Sequence, residues 1–157
     1  MQLYHNEEEK NPVALEYASF WKRMAAIFID AMIISFFMNL FILPFIGMNT
    51  IPDITDIEGR LKIQGIAAFI GWLYYAGFES SARQATFGKQ IFGIFVTDTN
   101  GYRISFARAT GRYFGKMLSG LILLIGYLMA AFTERRQALH DKLADTLVLQ
   151  HPGNREM

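Results

Sequence analysis

A few ionisable residues in this chain sit where a charge needs a reason. Asp30 lies inside the apolar run Met24–Ile46, with Arg23 seven residues before it. A helix puts the two on nearly the same face, with Asp30 about 10 Å deeper. Glu79 closes a second apolar run, Leu61–Phe78, with Arg83 one turn on. Arg108, Arg112 and Lys116 recur every four residues and draw a cationic stripe on a helix. His140-Asp141-Lys142 follow near the end. Two chemistries suit such a set. In one, Asp30 and Glu79 bind a proton or small cation inside the membrane. In the other, the same charges form a static network with Arg23, Arg112 and Asp141 that fixes helix packing. In either case Asp30 should be charge-paired, with Arg112 as first choice because a neighbouring helix can approach closely, and Arg23 as second.

Other chemistries lack their residues. With no cysteine there is neither a disulfide framework nor a thiolate. His5, His140 and His151 show no metal-ligand spacing, and no Ser/His/Asp signature appears, so an enzyme is not expected and no cofactor is called for. Gly88-Lys89 lacks the upstream glycine and following Ser/Thr of a phosphate loop. The acids Asp53, Asp56 and Glu58 lack the glycine and frame of a calcium loop. The basic residues flank membrane segments, which suits anionic headgroups rather than nucleic acid.

The elements that must position these residues follow from length and hydropathy. Hydrophobic residues are 52% of 157, above the usual share of about 45–50% for soluble domains. Met24–Ile46 would span about 35 Å as a helix, enough to cross a hydrocarbon core of about 30 Å. Ser35, Asn39 and Pro44 within it are expected to serve packing. Leu61–Phe78 is just long enough for a second crossing, with Trp72, Tyr74 and Tyr75 at headgroup level. Met117–Phe132 is short for a third, so a bent or re-entrant helical pair is expected after an N-cap at Ser105. Residues 1–19 read as a polar tail, 20–150 as one membrane domain and 151–157 as a second tail. Arg83, Lys89, Arg103, Arg108, Arg112 and Lys116 mark the cytoplasmic side, and Lys22-Arg23 put the N-terminus there too.

Gln90–Thr97 reads as a strand, Asp98–Gly101 as a turn and Tyr102–Ile104 as a returning strand. Thr146–Gln150 reads as a further strand able to pair with Gln90–Thr97. The fold class is therefore an all-α membrane protein with two firm transmembrane helices, a bent third segment and a small cytoplasmic β element. Two firm helices cannot enclose a polar path, so a homo-oligomer is expected, packed through Gly65, Ala68, Gly71 and Gly77.

Together the RxxAxxID helix (Arg23, Ala26, Ile29, Asp30), the TFGKQIFGIFVTDTNG segment, Arg112 and the RRQALHDKLADTLV ending resemble the RDD-domain family of membrane proteins. The likeness runs from Phe20 to Leu149. It implies that Arg23 and Asp30 are the family's Arg and first Asp, and that the second is Asp141, with Asp98 as the alternative. It also implies a cytoplasmic motif containing Gly88, Lys89, Gly93 and His140, and a role in ligand transport or sodium/proton antiport in a bacterial cell membrane. A scaffold that docks a protein partner through its cytoplasmic face is the alternative. Phe87 stands where the family pattern has proline, and Asp145 where it has a small residue.

Overall fold

The computed structural model describes residues 2–4, 13–47, 52–121 and 125–151. Ser19 caps the first helix, α1 (Phe20–Phe37), by accepting the Lys22 N–H at 3.3 Å. The helix runs on as a π-helical stretch, Met38–Ile42, into a final turn, α2 (Leu43–Phe45). Pro44 can donate no backbone bond, and the wider π register just before it accommodates that break. Asn39 turns back on its own helix, donating to the Ser35 carbonyl at 2.8 Å, rather than reaching a neighbour.

Phe20–Phe45 has a mean hydropathy of 2.3 over its most apolar stretch, of which only 22% is buried within the protein. The buried side chains of α1 are Arg23, Ala26 and Asp30, with Met38 and Leu43 buried beyond it, while Phe28, Phe36 and Phe45 are 69%, 68% and 89% exposed. That reverses the pattern of a helix packed on a water-soluble core and suits an apolar surrounding. Among the described residues this is the one helix both long and apolar enough to cross a membrane.

The expected second firm span is not established. The long helix α3 (Ile57–Ser80) has 24 residues, long enough, but Glu58, Arg60, Lys62 and Gln64 dilute its first turns. It starts one turn earlier than expected because Asp56 caps it, accepting the Gly59 N–H at 2.9 Å. The third segment is bent, as expected. Phe106–Gly120, within α5 (Phe106–Leu121), meets α6 (Ile125–Phe132) at 105°. Ser105 caps α5 through the Arg108 N–H at 3.2 Å.

The β layer departs from expectation in three places. Residues 90–93 do not open a strand. Phe87–Ile91 form a short helix, α4, which Gly93 ends at φ +62°, and the strand β3 is Ile94–Asp98. Tyr102–Ile104 form no returning strand. Instead Asp98 accepts the Asn100 and Tyr102 N–H groups at 2.9 and 2.8 Å, closing the turn on itself. Nor is the N-terminal stretch a free tail, because Gln2–Tyr4 (β1) and Val13–Tyr17 (β2) join the sheet.

After the short helix α7 (Leu139–Leu143) comes β4 (Thr146–Gln150), which pairs antiparallel with β3 from Ile94↔Gln150 to Asp98↔Thr146. The sheet order is β1-β2-β4-β3. One face, with Ile94, Val96 and Val148, joins the core beneath Trp72, and the other gathers Tyr17, Phe95, Leu147 and Leu149. The outer edge of β3 is occupied by Gln84, whose backbone carbonyl and side-chain amide both bond Val96 at 2.8 Å.

Candidate functional site

Two buried polar centres meet beneath this frame. The first surrounds Asp30, which is 0% exposed. It is not paired with Arg112 or Arg23. Its carboxylate accepts Tyr74 OH at 2.7 Å, Thr86 Oγ1 at 2.6 Å and the Gly88 N–H at 2.8 Å, all neutral donors. Thr86 is also the N-cap of α4, so one residue starts that helix and fastens it to α1. Gly88 is required by contact, since a Cβ there would overlap the Ala26 carbonyl and meet Asp30 Oδ1 at 2.8 Å. Tyr74 packs on Phe78 and Phe87 with ring centres at 5.0 and 6.4 Å. This tyrosine faces protein, and so does Trp72, which donates to Thr110 at 3.0 Å.

The second centre is ionic. Glu79 does not pair with Arg83, which reaches Gln90 instead at 3.3 Å. Glu79 accepts Lys89 at 2.6 Å and Lys116 at 2.9 Å on one oxygen and Arg112 Nε at 2.9 Å on the other. Lys116 also lies 4.0 Å over the Tyr75 ring, which is thereby turned inward. Arg112, 1% exposed, bridges onward to Asp141 and Thr146. Asp141 takes Arg23 on its other oxygen at 2.6 Å together with the Ala138 N–H at 3.0 Å. The line Glu79–Arg112–Asp141–Arg23 joins α3, α5, α7 and α1. Arg108, the first member of the cationic stripe, stands apart, 3.7 Å from the partly exposed Asp98. Asp141 rather than Asp98 is thus the carboxylate that Arg23 and Arg112 share.

Charge states outside the membrane helices follow from burial and these partners. Burial alone would raise the Asp141 carboxyl, but the Arg112 and Arg23 guanidiniums outweigh it and hold it well below the usual range. Burial pulls the Lys89 ammonium down to about 8 against the attraction of Glu79. Burial likewise lowers the imidazole of His140, 3.5 Å from Asp141, to about 3, so it is neutral at pH 7. Among the described residues no group of three or more His, Asp or Glu is gathered to hold a metal.

Sequence reasoning chose most of these residues and misassigned their partners. It missed Tyr74 and Thr86 as donors to Asp30, and Lys89 and Lys116 as partners of Glu79. The N-cap position of Thr86 before Gly88-Lys89 was the available signal. Of the small residues on α3, Ala68 and Gly71 are used within the chain. Tyr113 donates to the Ala68 carbonyl at 2.7 Å, and its oxygen would lie 3.0 Å from a Cβ on Gly71.

An apolar-faced helix tied through Arg23 and Asp141 to a small sheet defines a class of membrane protein. The chain belongs to the RDD family, whose model matches residues 17–145. It is 36% identical over 146 residues to "Uncharacterized protein YxaI" of Bacillus subtilis (strain 168), covering 84% of this chain and 96% of that one. It is 27% identical over 141 residues to "Uncharacterized membrane protein YteJ" of the same organism, covering 85% of this chain and 80% of that one. No solved structure matches.

Proposed function

We propose that this chain is a non-enzymatic scaffold of the bacterial cell membrane with a cytoplasmic N-terminus. Its buried charges lock a cytoplasmic sheet onto membrane helices, and through that sheet it docks a protein partner. The observation that carries this reading is that every buried carboxylate among the described residues is engaged by at least three protein donors. Asp30 has three donors, and Glu79 and Asp141 are each held by at least two cations. A group that must bind and release an ion keeps an open position, and these oxygens are mostly given to bonds that fix helices.

A second reading, transport of a small cation coupled to protons, is favoured by one feature. A cavity of about 450 Å³ opens where α1 faces α3 and α5, with Ser35, Asn39, Tyr75 and Tyr113 among its lining residues. Self-association through Gly65 and Gly77, where an added Cβ would meet nothing within 4 Å, would complete its enclosure. Proteoliposomes assayed for sodium, potassium and lithium flux under a proton gradient separate the two readings. The scaffold reading expects no flux in the wild type. Flux that Asp30→Asn abolishes, while the protein still elutes unchanged on a sizing column, replaces it with transport.

A further inference from the structure

The cavity of about 450 Å³ between α1, α3 and α5 has the form of a slot. One wall runs along α1 and α2 from Ala31 to Leu43 and the other along α3 from Ile63 to Tyr75, with Tyr113 of α5 against Gly71. The bond from Tyr74 to Asp30 fixes the level of the two helices, which puts Tyr75 across from Ala31 and Ile63 across from Leu43. At the helical rise each wall is about 18 Å long. Spread over that length, the volume leaves a section of about 25 Å². A helix with its side chains is about 10–12 Å across, about three times that section or more. A second copy's helix can therefore lie over the slot but cannot enter it.

The lining suits hydrocarbon. Ile34, Met38, Leu43, Ile63 and Ala67 line the slot, and among the described residues none that lines it carries a charge. Its polar side chains are mostly turned to protein. Asn39 donates to the Ser35 carbonyl at 2.8 Å, Tyr113 to the Ala68 carbonyl at 2.7 Å, and the Tyr75 ring lies under Lys116. Ala31, Ser35 and Asn39 are exposed, so the slot opens sideways along the helix on which Phe28 and Phe36 are exposed too. In a bilayer such an opening meets lipid tails, and water inside it would have too few polar partners.

We propose that this slot binds one acyl chain of a membrane phospholipid. The tail enters at the Leu43–Ile63 end, away from the sheet, and its tip stops at Tyr75 beside the Asp30–Tyr74 bond. The volume holds about fifteen groups the size of a water molecule, enough for most of one tail and too little for two. Binding of a tail requires neither docking nor transport, although a filled slot leaves no water path there.

The test uses the full chain, delipidated in neutral detergent and given back phosphatidylglycerol. Native mass spectrometry should find one phospholipid per chain that survives a further detergent wash. Ala67→Phe puts a ring into the slot, and its overlap with the tail should lower the bound fraction about tenfold or more. Phe36→Ala, which thins the lipid-facing surface outside the slot, should keep the lipid in full. A phosphatidylglycerol with a photoreactive group at the tip of one tail should label residues near Ala31 and Tyr75. That labelling of the wild type decides alone if Ala67→Phe does not fold. The proposal is overturned by a wild type that keeps no lipid, by a dimer that forms without lipid, or by labelling confined to the Phe28 and Phe36 surface. Full retention by folded Ala67→Phe, or an equal loss from Phe36→Ala, overturns it as well.

Discussion

Asp30 and Asp141 are both fully buried carboxylates, and the protein satisfies them in opposite ways. Asp30 is held by a phenol, a threonine hydroxyl and a backbone N–H. Asp141 is held by two guanidiniums and a backbone N–H. The neutral cage fastens one short segment, the start of α4, to α1. The ionic site ties together elements from both ends of the chain. The two therefore differ in what their loss leaves behind. Removing Asp30 strands donors that can rotate or find water, whereas removing Asp141 strands buried cations that cannot.

The largest effect expected from that contrast is at Asp141. Asp141→Ala should cost about 3–5 kcal/mol in unfolding from mixed micelles, because Arg23 and Arg112 lose their shared anion. Adding Arg23→Ala should cost less than the sum of the two single changes, and strict additivity would show that the pair does not act as one unit. Next in size is Gly88→Ala, which tests the neutral cage through its tightest contact. Overlap with the Ala26 carbonyl should force α4 off α1 at a cost of about 1–3 kcal/mol. A variant as stable as the wild type would mean that the approach of α4 to Asp30 is slack.

The effect that is smallest at neutral pH is a pH slope at the ionic centre. The folded imidazole of His140 titrates near 3 against 6.5 when free, so the unfolded chain takes up the proton first as pH falls. Stability from this source is complete above about 6.5 and declines as the pH falls toward 3. The depressed carboxyl of Asp141 adds its own loss only below its ordinary value of 3.8. His140→Phe should flatten the upper limb of a stability-against-pH curve and spare the lower. An unchanged upper limb would assign it to another group.

Much of this was legible in the residues because local rules govern it. The length and hydropathy of Met24–Ile46, the Ser105 cap, the bend after α5 and the pairing of Thr146–Gln150 with the strand near 94–98 each rest on nearby residues or on side-chain pattern. The partners of the buried charges were not legible in the same way. Spacing gives the depth of Asp30 on its own helix but not which residue of another element arrives beside it. Arg112 looked right for Asp30 on charge alone, and geometry gave it to Glu79 and Asp141. The start of β3 was misplaced for a related reason. Ile91-Phe92 are apolar and β-prone, yet the Thr86 cap and the bond from Gly88 to Asp30 bend Phe87–Ile91 into a helix, so tertiary contact overrides propensity there. Val13–Tyr17 pairs with β4 although charged neighbours hid it, since the register that joins them is short, Glu16↔Gln150 and Tyr17↔Leu149.

The bond between Arg23 and Asp141 spans 118 residues of sequence. At a synthesis rate of about 5–20 residues per second, the arginine leaves the ribosome roughly 6–24 s before its aspartate exists. For that interval the first helix carries a cation that belongs in the interior and has no counter-ion, so α1 cannot settle at its final depth on its own. Its placement is completed only when Asp141, in the last ninth of the chain, arrives, and a ribosome that stops short of residue 141 leaves a helix whose most deeply buried base is still in water.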